Sequence, residues 1–156
     1  MLRWLWLSLA VVVLDQATKW AASARLQLHQ PEPVLPFFSL TLMHNEGAAF
    51  SFLSDQGGWQ RWFFIALAAV VSLGLMIWMA RLHAGERLVA VAFALILGGA
   101  LGNLIDRLMH GYVIDFLLLY YQQWHWPAFN VADSAIVVGV GLLLLDAFLR
   151  RDGESA

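Results

Sequence analysis

The chain has 156 residues, of which 61% are hydrophobic and only 13% are charged. A soluble domain usually has about 25% charged residues, and the mean hydropathy of +0.69 is also high. The composition therefore indicates an integral membrane protein. The net charge of −2 argues against a nucleic-acid partner. The absence of cysteine excludes disulfides, thiolate metal sites and a cysteine nucleophile.

Four segments are long and apolar enough to cross a bilayer, which requires about 20 mostly apolar residues. They cover roughly residues 4–22, 62–80, 88–108 and 131–149. The eight tryptophans lie near the ends of these segments, at the headgroup level that indole rings prefer. We predict a mainly α-helical polytopic protein whose 156 residues form a single membrane-embedded domain.

The distribution of arginine predicts that both termini are cytoplasmic, because positively charged loops favour that side. Five arginines fall on this side: Arg3, Arg81, Arg87, Arg150 and Arg151. The first segment has an alternative interpretation as a cleavable signal peptide, since residues 22–24 (ASA) resemble a cleavage site. Asp15 and Lys19 interrupt its apolar stretch and favour a retained helix instead.

Two connections, at about residues 23–60 and 110–130, are predicted on the outer side. The first contains three prolines, which discourage a helix. Its residues 38–43 then alternate between apolar and polar, as in a strand. Residues 45–47 (NEG) are typical of a turn, and 48–53 are predicted to return as a second strand before a loop at 54–58. These features predict a small β-sheet on the outer membrane surface.

Ionisable side chains inside membrane spans are costly and are therefore functional candidates. Asp15 and Lys19 are spaced i, i+4, which is consistent either with an intrahelical salt bridge or with contacts to a substrate or catalytic site. Asp146 and Arg150 have the same spacing near the other end of the last span, where we predict a simple ion pair.

The third predicted span has a polar face formed by Asn103, Asp106 and Arg107. Gly98 and Gly102 precede this face and would allow a neighbouring helix to approach closely. The polar residues are interpreted as a clamp that fastens the third span, with Asp106 paired with Arg107. Asn103 could serve either this clamp or a catalytic site.

Asn130 and Asp133 precede and open the fourth span in the pattern of a helix N-cap. Asp115 differs from the other carboxyl groups because its sequence neighbours are apolar and none is basic. A buried carboxylate must raise its pKa or find a partner. If that partner were Asp133, the two groups would share one proton, as the catalytic pair of an aspartic protease does.

Other chemistries are less consistent with the sequence. The histidines are scattered and no H-E-x-x-H motif occurs, which disfavours a metallohydrolase. A serine nucleophile with a lysine base would require Lys19, the only lysine, and no serine is obviously placed for it. A small proton-coupled carrier remains an alternative, because membrane carboxylates also relay protons.

Taken in order, five short blocks resemble the bacterial lipoprotein signal peptidases, or type II signal peptidases. The blocks are residues 15–19 (DQATK), 45–50 (NEGAAF), 98–107 (GGALGNLIDR), 113–116 (VIDF) and 129–133 (FNVAD). This resemblance implies an aspartic endopeptidase of the inner membrane, with its site on the periplasmic side. Such an enzyme removes the signal peptide from diacylglyceryl-modified prolipoproteins, on the amino side of the lipidated cysteine.

The same resemblance implies roles for individual residues. Asp115 and Asp133 correspond to the catalytic dyad, and Asp106 fits a structural pairing with Arg107. The substrate-binding or supporting residues implied are Asp15, Lys19, Asn45, Gly47, Asn103, Arg107 and Asn130. The family uses no metal or organic cofactor. Its partners are lipid-modified prolipoproteins, membrane lipid and inhibitors of the globomycin type.

Overall fold

A computed structural model describes residues 1–47 and 59–153 of the chain. A 3-10 turn at Leu2–Trp4 leads into the first helix. The elements that follow are α1 Leu5–Arg25, β1 Glu32–Leu35, β2 Phe38–Asn45, α2 Trp59–Arg81, α3 Arg87–Met109, β3 Val113–Tyr121, β4 Trp124–His125 and α4 Val131–Gly153. The predicted mainly helical class with a small sheet is confirmed. The strand predicted at 48–53 and the loop at 54–58 lie outside the described residues.

Three of the described helices are long and apolar enough to cross a membrane. They are Trp59–Arg81, Arg87–Met109 and Val131–Arg150, which correspond to the second, third and fourth predicted spans. Helix α1 has 21 residues but carries Asp15 and Lys19 in its second half. Both of these side chains are buried in the bundle, so these two charges of α1 face protein.

Helix α3 is the centre of the bundle, since α1, α2 and α4 all pack against it and α1 also touches α4. More than half of the apolar stretch of α3 is buried, whereas less than a fifth of that of α2 or α4 is. The exposed faces of α2 and α4 carry large apolar side chains, including Val70 and Val137, as expected of surfaces solvated by lipid.

Glycines on α3 bring its neighbours close. A Cβ atom added to Gly98 would lie 2.7 Å from the Val11 side chain of α1, and one added to Gly102 would lie 2.6 Å from Oδ2 of Asp15. The close approach predicted from these two glycines is confirmed. Gly99 serves α4 in the same way, because its added Cβ would collide with the carbonyl oxygen of Ala132.

The connections α1–α2 and α3–α4 meet in one antiparallel sheet with the strand order β1-β2-β3-β4. We call this the sheet end of the bundle, where α1 and α3 end and α2 and α4 begin. Strand β2 confirms the strand predicted at 38–43 and extends it to Asn45. The turn after it is confirmed too, as Gly47 has φ +99° and its N–H donates to Asn45 Oδ1 at 2.9 Å.

Strands β1, β3 and β4 were not predicted from the sequence, and β3 is the one that bears on the candidate site. It pairs with β2 so that Asp115 lies opposite Met43 and Val113 lies opposite Asn45. Its first four residues, 113–116, are buried, and its later residues are increasingly exposed. This register places Asp115 beside the end of β2.

We predict that Gly102→Ala destabilises the fold, because the new methyl group would press on the Asp15 carboxylate. Overpacking of this kind costs about 1–3 kcal/mol, equivalent to a fall of about 5 °C in Tm. The measurement is thermal unfolding of the purified protein in detergent. Gly141→Ala is the matched control, since nothing lies within 4 Å of its added Cβ. Equal Tm values for the two variants would contradict the packing argument.

Candidate active site

Asp115 is the buried carboxyl group of β3, with only 2% of its surface exposed. Its Oδ1 accepts a hydrogen bond from Asn130 Nδ2 at 2.7 Å, and its Oδ2 accepts one from Asn45 Nδ2 at 3.0 Å. Burial raises the pKa of Asp115 to about 7. The nearby charge of Asp133 also raises this pKa, whereas the hydrogen bonds from the two amide donors lower it. Near neutral pH, Asp115 is therefore poised between its acid and its carboxylate.

Asp133 lies at the beginning of α4, where it forms a reciprocal cap with Asn130. The N–H of Asp133 donates to Asn130 Oδ1 at 2.9 Å, and the N–H of Asn130 donates to Asp133 Oδ2 at 3.2 Å. The predicted N-cap is therefore confirmed. The cap leaves Asp133 Oδ1 to accept a hydrogen bond from Asn103 Nδ2 at 2.8 Å.

Asn130 joins the two carboxyl groups, because its side chain contacts Asp115 and its backbone and side chain contact Asp133. It is completely buried. Its Nδ2 group also points at Ile114 O and Asn103 Oδ1, both at 3.2 Å. Residues from β2, β3, α3 and α4 thus converge on one small polar cluster.

Beside this cluster lies the buried ammonium group of Lys19. Its Nζ is 2.8 Å from Asp15 Oδ2, 2.8 Å from Asp106 Oδ2 and 2.9 Å from Asn103 Oδ1. The intrahelical pair of Asp15 and Lys19 is therefore confirmed. Asn103 lies between Lys19 and Asp133, since it accepts from the ammonium and donates to Asp133 Oδ1.

The predicted pairing of Asp106 with Arg107 is wrong. Among the described residues, the ion pair of Asp106 is formed with Lys19. Adjacent residues of a helix do not face each other, so Asp106 points toward α1 while Arg107 points toward α2. The Arg107 guanidinium lies over the Phe64 ring at 4.9 Å, and its Nη1 donates to the carbonyl oxygen of Asn103 at 3.3 Å.

Gly47 and Asn45 lie on the same side of the site as Arg107. A Cβ added to Gly47 would lie 2.5 Å from the Phe64 ring that Arg107 covers. Only glycine therefore combines this contact with a positive φ. Phe64 itself was not predicted, because one more aromatic residue in an apolar span gives no signal in a sequence.

Gln16 is the other contributor that sequence reasoning missed. Its Nε2 donates to Asp106 Oδ1 at 2.8 Å and to the carbonyl oxygen of Gly102 at 3.2 Å. The available signal was its position beside Asp15, within the block at residues 15–19. A polar side chain in a membrane helix needs such partners, because lipid offers none.

The arrangement is suited to moving a proton. Two carboxyl groups from different elements contact one residue, Asp115 through the side chain of Asn130 and Asp133 through its backbone N–H. One of them, Asp115, titrates near neutral pH. Within residues 1–47 and 59–153, no group of three or more histidine or acidic side chains is arranged to hold a metal ion.

Comparison with known proteins gives concordant matches. The family model described as signal peptidase (SPase) II matches residues 7–149. The lipoprotein signal peptidase of Alteromonas mediterranea is 53% identical over 154 residues, covering 99% of this chain and 85% of that protein. The protein of the same name from Acinetobacter baumannii is 59% identical over 147 residues, covering 94% and 84%.

Two solved structures, both described as bacterial membrane enzymes, share the fold. One has a TM-score of 0.84 at 29% identity, covering 99% of this chain and 92% of the other. The second has a TM-score of 0.82, also at 29% identity, and covers 93% and 92%. With a family model spanning most of its length and relatives above 50% identity, this chain belongs to the signal peptidase II family of bacterial membrane peptidases.

Proposed function

We propose that this protein is an aspartic endopeptidase that removes the signal peptide from diacylglyceryl-modified prolipoproteins. The cut falls on the amino side of the lipidated cysteine, and Asp115 and Asp133 form the catalytic dyad. The observation that carries this proposal is the linkage of the buried Asp115 and the partly buried Asp133 through Asn130. Membership of the signal peptidase II family supports the same reaction and gives no support to a proton-coupled carrier.

In the proposed mechanism, the two carboxyl groups of the dyad share one proton, so one is a carboxylic acid and the other is a carboxylate. The ionised carboxylate removes a proton from water as the water oxygen attacks the scissile carbonyl carbon. The protonated partner donates its proton to the carbonyl oxygen, which gives a neutral tetrahedral diol. The C–N bond then breaks as the carbonyl re-forms, and the departing amine of the cysteine residue takes a proton from the dyad. The diol returns the other proton, so the dyad ends with one proton, as it began.

The fold supports a location of the active site at the membrane surface. We propose four spans with both termini in the cytoplasm, α1 being the fourth helix that crosses the inner membrane. The sheet end would then face the periplasm, at the headgroup level where a lipidated junction lies. Trp20 and Trp62, near the sheet ends of α1 and α2, are exposed, as expected at this level.

Substrate contacts are proposed for the residues around Phe64. Among the described residues, no carboxylate forms an ion pair with Arg107, so its guanidinium retains donors for substrate carbonyl groups. Gly47 and the end of β2 lie beside it, and the sheet would cradle the peptide. Membrane lipid and inhibitors of the globomycin type would occupy the same surface. No cofactor takes part in this scheme.

We predict that Asp115→Asn and Asp133→Asn each abolish cleavage, because an amide can neither take nor give the proton. We expect a loss of about 10³-fold or more in kcat, within the range attributed to general acid–base catalysis. The assay is cleavage of a diacylglyceryl-modified prolipoprotein in detergent micelles. Asp146→Asn, at the opposite end of the bundle, should retain parental activity. Near-parental cleavage by either dyad variant would refute the mechanism.

The rate of cleavage should also depend on pH. Burial raises the pKa of Asp115 to about 7, so the proton that the dyad needs is present below this pH and is lost above it. The rate at saturating substrate should therefore fall about tenfold for each pH unit above about 7. At acidic pH the rate should fall again, as the second carboxylate is protonated. A constant rate between about pH 6 and 9 would contradict the assignment of Asp115.

A further inference from the structure

The Lys19 ammonium has no N–H left for a substrate. An ammonium group offers three donors and no acceptor, and Asp15, Asp106 and Asn103 accept one each at 2.8–2.9 Å. The side chain is 2% exposed. A lysine held in this way neither touches the reacting atoms nor acts as a base. Apart from the through-space effect of its charge, whatever it contributes to catalysis must pass through its three partners.

The first route runs through Asn103. Because Lys19 can only donate, Asn103 must turn Oδ1 toward it, and Asn130 Nδ2 points at the same oxygen. The Nδ2 group of Asn103 is therefore forced to the other side, where it donates to Asp133 Oδ1 at 2.8 Å. With the amide reversed, its NH₂ group would face the ammonium and its oxygen would face the Asp133 carboxylate.

The second route runs through the backbone on either side of the site. Asp15 Oδ1 accepts the N–H of Ala132 at 2.8 Å, one residue before Asp133. Asp106 Oδ2 accepts the N–H of Ile114 at 3.0 Å, one residue before Asp115. One ammonium thus connects the helix that carries one carboxyl group with the strand that carries the other.

We propose that Lys19 is the positioning residue of the dyad: it fixes the Asn103 amide so that an N–H faces Asp133, and it holds the two backbone segments in register. This inference rests on the proposed catalytic role of Asp115 and Asp133. Lys19 then has a single role, because its salt bridges are what orient the catalytic groups.

The charge of Lys19 provides a readout that loss of structure alone would not change. Among residues 1–47 and 59–153, the charged groups that act on Asp115 are Lys19 from α1, Arg107 from α3 and Asp133 from α4. Lys19 lowers the pKa of Asp115, whereas Asp133 raises it. Removal of Lys19 should therefore move the alkaline limb of the rate profile to higher pH. A partly unfolded sample would lose activity without moving that limb.

The test variant is D15N/K19M, which removes one charge of each sign. The Asp15→Asn exchange keeps a side-chain oxygen for the Ala132 N–H, and Asp106 retains the donors Ile114 N and Gln16 Nε2. The matched control is D146N/R150Q, which removes another i, i+4 acid–base pair with a 2.7 Å contact at the opposite end of the bundle. Both proteins are purified whole and assayed with the lipidated prolipoprotein.

We expect D15N/K19M to retain a cooperative thermal transition, to lose about 10²-fold in kcat, and to change KM by less than about threefold. Its alkaline limb should move to higher pH, and the control should change neither quantity. Parental kcat and an unmoved limb in D15N/K19M would overturn the inference. If Asp115→Asn is inactive in the same assay, the proposed dyad is retained and only the role of Lys19 is refuted. An active Asp115→Asn would refute the proposed function itself.

A double-mutant cycle tests whether Lys19 acts through Asn103. In an Asn103→Ala background, D15N/K19M should lower kcat by clearly less than about 10²-fold, because the amide that Lys19 orients is already gone and only the backbone route remains. Fully multiplicative losses would show independent action and overturn the route through Asn103. If D15N/K19M does not fold, Asn103→Asp answers the same question. It keeps an acceptor for Lys19 and places a carboxylate oxygen where the N–H faced Asp133, so a near-parental kcat would overturn the inference.

Discussion

The burial of one ammonium group, that of Lys19, constrains much of this structure. An ammonium removed from water without partners carries a penalty of several kcal/mol, and loss of one partner of a buried pair costs about 3–5 kcal/mol. Asp15, Asp106 and Asn103 meet this requirement together, so α1 must lie against α3 at one depth and one rotation. Lipid supplies little hydrophobic drive for helix association. Polar contacts of this kind, with the close approach at Gly98 and Gly102, determine how the helices assemble.

Local folding devices and the proposed chemistry use the same atoms at the sheet end. The cap that begins α4 consists of Asn130 and Asp133, and it directs one oxygen of Asp133 inward. The register between β2 and β3 sets Asn45 beside Asp115. A substitution in the cap therefore affects stability and catalysis together, which is why the conservative exchange of carboxylate for amide is the informative variant. Truncation to alanine would remove the cap as well as the charge.

Patterns confined to one element were predictable from the sequence, and contacts between distant elements were not. Periodicity and composition predicted helices α2, α3 and α4 and the strand at 38–43, and i, i+4 spacing predicted the pair of Asp146 and Arg150. Strand β3 escaped because an apolar run without alternation fits a strand or a helix equally well. The partner of Asp106 lies on another helix, and no spacing rule reaches that far. Asp115 was conspicuous for its apolar neighbours, but the proposal of Asp133 as its partner required the resemblance or the fold.

The partners of each buried carboxyl group distinguish the groups that stabilise the structure from the group that is suited to acid–base chemistry. Asp15 and Asp106 share the Lys19 cation and also accept backbone N–H groups, so both carboxylates are stabilised in place. Within the described residues, Asp115 receives two amide N–H groups and no cation forms an ion pair with it. Its proton is therefore retained to about pH 7, where a general acid is most effective. A cation placed directly against Asp115 would stabilise the fold but would remove the proton that the reaction needs. The geometry keeps Lys19 one side chain away from the dyad, close enough to orient Asn103 while leaving Asp115 without a cation of its own.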